Sequence, residues 1–139
     1  PYLAGSDSVV EKRIISLDAN TRFNRVTEIY DRSMPVAAGI VLREGGERAE
    51  TEHYVAYWEP ECGADGNTGI GMIFPEVSVT SLENCGHLLA KTSVEANQPY
   101  TYYTGAGWSK AGTANADAWF EQVDEAYVKL SNPLQVKIR

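Results

Sequence analysis

Most of this sequence is cut into short β-forming runs, and one stretch alone breaks that rhythm. Residues 9–17, 23–30, 36–43 and 52–58 are rich in Val, Ile, Thr, Tyr and Phe. The breaks Asp18-Ala19-Asn20, Asp31-Arg32-Ser33 and Glu44-Gly45-Gly46 separate them. Residues 69–74, 77–80, 87–94 and 100–105 continue the series. Short strands at this spacing predict a mostly β fold, an antiparallel β-sandwich or barrel. From Asn115 to Leu130 the period changes: Ala116, Trp119, Phe120, Val123, Tyr127 and Leu130 recur mostly at intervals of three and four, which is one stripe of an amphipathic helix. Thr113 or Asn115 can cap it, and Asn132-Pro133 stops it. Residues 134–138 alternate as a last strand. No repeat or linker divides the 139 residues, so one domain is expected. The chain opens on Pro1 rather than Met, which points to a processed product or a piece of something longer.

Charge narrows the partners. Nineteen acidic residues against twelve Lys and Arg give a net charge of −7, and no basic run exceeds Lys12-Arg13. A phosphate-backbone binder needs a cationic face, so nucleic acid and anionic membranes are poor partners. No apolar run approaches a membrane span. The two cysteines, Cys62 and Cys85, are too few for a cysteine-built metal site, and neither a metal nor a cofactor is expected. As a disulfide they would close a loop of about 24 residues, stabilising by about 3 kcal/mol and pointing to an oxidising compartment. As two independent thiols they say nothing about compartment.

Several strands carry large polar groups on both faces, among them 23–30 and 53–59. That suits a sheet with a polar, aromatic-lined groove, and equally an edge strand with ordinary surface groups. Aromatics cluster as Tyr54, Tyr57 and Trp58, and again as Tyr100, Tyr102, Tyr103 and Trp108. An aromatic ring matches the C–H face of a sugar, and short polar groups match its hydroxyl rim. The same rings serve equally as core packing. Alternation places Tyr102 and Tyr103 on opposite faces, so a groove takes only one of them. Lys110 and Arg25 are candidate donors or counter-charges, and Gly105-Ala106-Gly107 reads as a permissive loop after a strand. His53 is the candidate proton-transfer group. Its carboxylate partner would come from a neighbouring strand, for example Glu28. Asp65-Gly66-Asn67 lacks the rest of a calcium loop and reads as a plain turn.

Four stretches carry a resemblance. They are Ile-Ser-Leu-Asp-Ala-Asn-Thr-Arg-Phe-Asn-Arg-Val-Thr at 15–27, Pro-Val-Ala-Ala-Gly-Ile-Val at 35–41, Tyr-Val-Ala-Tyr-Trp-Glu-Pro at 54–60, and Tyr-Tyr-Thr-Gly-Ala-Gly-Trp-Ser-Lys at 102–110. The last leads into the helix and Asn-Pro-Leu-Gln-Val at 132–136. Together they resemble an uncharacterised domain family of Bacteroidetes. Its members are often encoded beside, or fused to, unsaturated rhamnogalacturonyl hydrolases. The resemblance implies a galactose-mutarotase-like supersandwich, with this chain as the C-terminal part of a longer domain. A missing N-terminal half or a second chain would then complete it. It further implies carbohydrate binding or processing in the breakdown of pectin-like, uronate-containing polysaccharides, in the periplasm or outside the cell. Aldose mutarotases use a His acid and a Glu base. Neither motif is matched here, and His53 is the sole acid candidate. The expected site is Trp58, Trp108 and Tyr102 or Tyr103 for stacking, Lys110 and Arg25 for polar contacts, and His53 for proton transfer. The alternative is a non-catalytic carbohydrate-binding or structural module completing a larger enzyme or partner chain.

Overall fold

The computed structural model describes residues 1–135. Eleven strands occur among them: β1 (Tyr2–Ala4), β2 (Asp7–Val9), β3 (Glu11–Ser16), β4 (Phe23–Tyr30), β5 (Met34–Val41), β6 (Glu47–Glu50), β7 (Tyr54–Trp58), β8 (Thr68–Ile73), β9 (Thr80–Asn84), β10 (His87–Val94) and β11 (Pro99–Trp108). A single α-helix, α1 (Ala116–Ser131), follows. Each strand pairing is antiparallel. A six-stranded sheet has the order β3-β4-β11-β8-β7-β6, a three-stranded sheet has the order β5-β10-β9, and β1 and β2 form a hairpin. The chain is therefore mostly β, a two-sheet sandwich with one C-terminal helix.

Two apolar cores lie on the two faces of the large sheet. Between the sheets, Tyr30, Val55, Tyr57 and Phe74 meet Ile40, Leu88, Ala90 and Val94. On the other face, Phe23, Tyr54, Ala56, Trp58 and Ile73 meet Ala116, Trp119 and Val123 of α1. The five residues of β7 are all buried because both faces of that strand are covered. The Asn115 side chain caps α1 by accepting from the Ala118 N–H at 2.9 Å.

α1 docks where the sheet is bare. Gly69 of β8 lies opposite Gly107 of β11, and Gly71 lies opposite Gly105. The Trp119 indole rests on this floor, fully buried. A Cβ on Gly69 would come within 2.6 Å of it, one on Gly107 within 2.7 Å and one on Gly71 within 3.1 Å. Phe23 stacks beside it with centroids 5.9 Å apart, and the indole N–H donates to the Ile70 carbonyl at 3.3 Å. Gly105-Ala106-Gly107 is thus part of the C-terminal half of a long strand rather than the loop its glycines suggest. The missing side chains make room for a ring.

Other boundaries shift. The run 9–17 divides into β2 and β3, and β6 and β9 are additional edge strands. Residues 77–79 form no strand, and pairing starts at Thr80. The strand expected at 134–138 lies outside the described residues beyond 135. Cys85 and Gly86 join β9 to β10 in a two-residue turn with φ of 49° and 72°, the left-handed pair that such a hairpin needs. Cys62 and Cys85 are exposed free thiols, so the disulfide alternative is not realised. At the border of the large sheet, β3 leaves Ile14 and Ile15 exposed, and Leu17 follows them.

Gly107→Ala should destabilise the protein by about 1–3 kcal/mol in urea unfolding, because the added methyl overpacks against Trp119. In a Trp119→Leu background, itself destabilised, the same alanine should cost much less. That non-additivity identifies the floor rather than strand propensity as the cause.

Candidate functional site

Strand alternation decides which candidate residues meet. Arg25 of β4 lies directly opposite Tyr103 of β11, and both face α1. With Asp18, Thr21, Phe23, Ala126, Lys129 and Leu130 they line a groove of about 270 Å³ between the sheet and the C-terminal half of the helix. Its floor is apolar and aromatic, and its rim carries two cations and one carboxylate.

The remaining candidates are distributed elsewhere. Trp58 is buried under α1 with Tyr54 and Ala56, its ring enclosed by packing. His53 precedes β7 and stacks on Tyr127 of α1, with centroids 5.0 Å apart and planes at 12°. Its Nε2 is 3.9 Å from Glu52 Oε1, and its buried Nδ1 has no partner among the described residues. Trp108, 45 % exposed at the end of β11, donates from Nε1 to the Asp65 carbonyl at 2.8 Å. Lys110 donates to the Ala64 carbonyl and places its Nζ 5.9 Å from the Trp108 ring centroid. These two side chains clamp the 62–67 loop, in which Gly63–Asp65 form a single 3-10 turn and Gly66-Asn67 lead out of it. Tyr102 points to the opposite face of the sheet from Tyr103. The single hollow expected from the sequence is thus divided. Arg25 and Tyr103 share one place and Trp108 and Lys110 another, while His53, Trp58 and Tyr102 stand apart.

On the face toward the small sheet lies a constellation the sequence reading left unassembled. Glu28 of β4 is buried at 4 % exposure. Its carboxylate accepts from the Tyr30 hydroxyl at 2.5 Å and from the Tyr102 hydroxyl at 3.3 Å. It pairs with Arg13 Nε of β3 at 2.9 Å, and the same Nε lies 2.8 Å from Glu11. Tyr100 stands on β11 opposite Glu28. Its hydroxyl is buried and has no partner among the described residues. Arg13, Glu28, Tyr30, Tyr100 and Tyr102 line a cavity of about 250 Å³, which residues 36–39 of β5 line as well. The one sequence signal for it is a glutamate at an inward position of β4, between Val26 and Tyr30. Alternation places that residue on the face of Val26 and Tyr30, but its charge alone reads as a surface group. The arginine that neutralises it comes from a neighbouring strand.

The tyrosines record this surrounding. Burial, then the Glu28 charge, pushes Tyr102 up to about 12. Burial and the hydrogen bond to Glu28 carry Tyr30 further, and burial with the Glu28 charge does the same for Tyr100. For Arg13, burial lowers the pKa, but Glu28 and Glu11 outweigh it and the guanidinium is held charged. Glu28 is therefore an acceptor fixed by two hydroxyls and a cation. On the other face, burial and then Asp124 raise Tyr54. Among the described residues no group of three or more His, Cys, Asp or Glu is placed to hold a metal ion, and no helix is long and apolar enough to cross a membrane.

A family described as a domain of unknown function, DUF4861, matches residues 1–136. The chain belongs to the DUF4861 family. It is 29% identical, over 147 aligned positions, to the uncharacterized protein P7 of Formosa agariphila, a member of the Bacteroidetes. The alignment covers 98% of this chain and 37% of that protein, so the chain spans little more than a third of its relative's length. No solved structure matches the chain.

The raised tyrosines fix an alkaline limit. Unfolded tyrosines ionise near about 10, whereas Tyr102 holds its proton to about 12 and Tyr30 and Tyr100 hold theirs longer. Between those values the unfolded chain has lost protons that the folded chain keeps. The stability these groups supply should therefore be intact below about pH 10 and fall as pH rises from about 10 toward 12. Urea midpoints across that window test this. Absorbance titration should show late-ionising tyrosines, part of whose delay disappears in Glu28→Gln.

Proposed function

We propose that this DUF4861 chain is a carbohydrate-binding or carbohydrate-processing domain acting in the degradation of complex, pectin-like polysaccharides, in the periplasm or outside the cell. The observation that carries this reading is the groove in which Arg25 faces Tyr103 across β4 and β11, beside Lys129 and over Phe23 and Leu130. An aromatic ring takes the C–H face of a sugar, and a guanidinium with a nearby ammonium takes a uronate carboxylate. The fold is an antiparallel β-sandwich with one C-terminal helix; the sequence resemblance to a galactose-mutarotase-like family encoded beside rhamnogalacturonyl hydrolases supports the same substrates. The exposed β3 border agrees with a longer protein or a second chain covering it.

A non-catalytic role within this reading is favoured by one further observation. His53 packs against α1 on one face of the large sheet, whereas Glu28 lies on the other face, so the two candidates for acid and base are separated by the sheet. The domain then grips the polymer while chemistry is performed elsewhere in a larger assembly.

Oligogalacturonides titrated into the full chain should bind, and Arg25→Ala or Tyr103→Ala should each weaken binding about tenfold or more, a loss of about 1.4 kcal/mol. Added salt and methyl esterification of the uronates should weaken it too, because the contact is charge-assisted. An unmodified chain that binds no pectic oligosaccharide overturns the reading. His53→Gln should leave this affinity within about twofold, and any turnover that it abolishes would restore a catalytic role to His53.

A further inference from the structure

We infer that the cavity around Glu28 is a second, separate binding site, and that its ligand is an uncharged, hydroxyl-rich ring the size of one monosaccharide. The site lies on the opposite face of the large sheet from the Arg25 groove, and it stands or falls independently of that groove.

Three observations carry it. The first is Tyr100. Its side chain is buried at 6 % exposure and lines the cavity, yet its hydroxyl meets no donor or acceptor among the described residues. A buried polar atom without a partner costs about 1–3 kcal/mol, so a ligand hydroxyl that meets it recovers that loss. The second is charge. Glu28 and Glu11 contribute two negative charges and Arg13 one positive charge. The remaining excess is negative, which repels a uronate, and the place beside Glu28 that a ligand cation would take is already filled by Arg13. A neutral ligand meets neither obstacle. The third is the lining itself. Tyr30, Tyr100 and Tyr102 bring rings and hydroxyls from the large sheet, and β5, an edge strand of the small sheet, brings backbone N–H and C=O groups outside its ladder with β10. Polar and apolar surfaces on both walls, in a space of about 250 Å³, suit a single polyhydroxylated ring.

The test isolates this cavity in an Arg25→Ala/Tyr103→Ala background, so that the groove does not contribute. Glucose, galactose and rhamnose are titrated by ligand-observed NMR beside glucuronate and galacturonate, which differ from the first two at C6. At least one neutral ring should bind, and its uronate should bind about tenfold more weakly or worse. Tyr100→Phe should weaken the neutral sugar about fivefold or more while leaving the melting temperature unchanged or raised, because the deleted hydroxyl has no protein partner to lose. Ala38→Leu, which fills the cavity from the β5 side, should abolish binding. The inference is overturned if no neutral ring binds, if uronates bind as well, or if Tyr100→Phe keeps full affinity. Oligogalacturonide binding to the unmodified chain is read separately, so failure here leaves the groove standing, and failure of the groove leaves this site standing.

Discussion

The rest of the structure depends on Trp119 seated on a floor without side chains. An indole needs a flat surface, and a β-sheet provides one only where Cβ atoms are missing. Gly69, Gly71 and Gly107 remove them under the ring, and Gly105 removes one beside it, under Phe23. The ring brings the helix axis close to the sheet, so Val123 and Ala116 are buried and the face bearing Trp58 and Tyr54 is closed. That one contact also sets where α1 ends relative to β4. Lys129 and Leu130 come to rest beside Arg25, and the groove exists because the helix is held at that height.

The large sheet then acts as a partition. Every residue of β4 and β11 belongs to one side or the other, and the pairing of Arg25 with Tyr103 and of Glu28 with Tyr100 shows the two sides in register. One side receives two cations over an apolar floor. The other receives two carboxylates, a guanidinium and three phenols. These are opposite electrostatic environments a few ångströms apart, insulated by backbone whose polar groups are already paired. Holding Glu28 inside is tolerable because its charge has a guanidinium and two hydroxyls around it; a lone carboxylate there would protonate or pull the sandwich open.

Much of the fold was legible in local pattern. β4 and β10 begin and end where alternation and turn residues place them, and the stripe from Ala116 to Leu130 is the helix, with Asn115 as its cap. β6 (Glu-Arg-Ala-Glu) and β9 (Thr-Ser-Leu-Glu-Asn) escaped notice because edge strands carry polar residues that read as loop. Gly105 and Gly107 misled for a different reason: a glycine wanted for its lack of a side chain looks the same as one wanted for a turn, and only the distant Trp119 tells them apart. The candidate site was partly legible. Arg25 and Tyr103 meet because cross-strand register joins them, while Trp108 and Lys110 meet in clamping a loop. Glu28 was visible only as a possible partner for His53. Of its true neighbours, Tyr30 is two residues along the same strand, but Arg13 and Tyr102 come from the strands on either side, and no spacing along β4 announces them.

The Glu28 cavity lies between β3 and β5, each the outermost strand of its own sheet. Both borders carry, among the described residues, rows of backbone N–H and C=O groups outside any ladder. Any polypeptide that aligns with either row would also become a wall of the chamber. Enlargement of the sandwich and the shape of the cavity inferred to hold a neutral ring are thus tied to the same two borders.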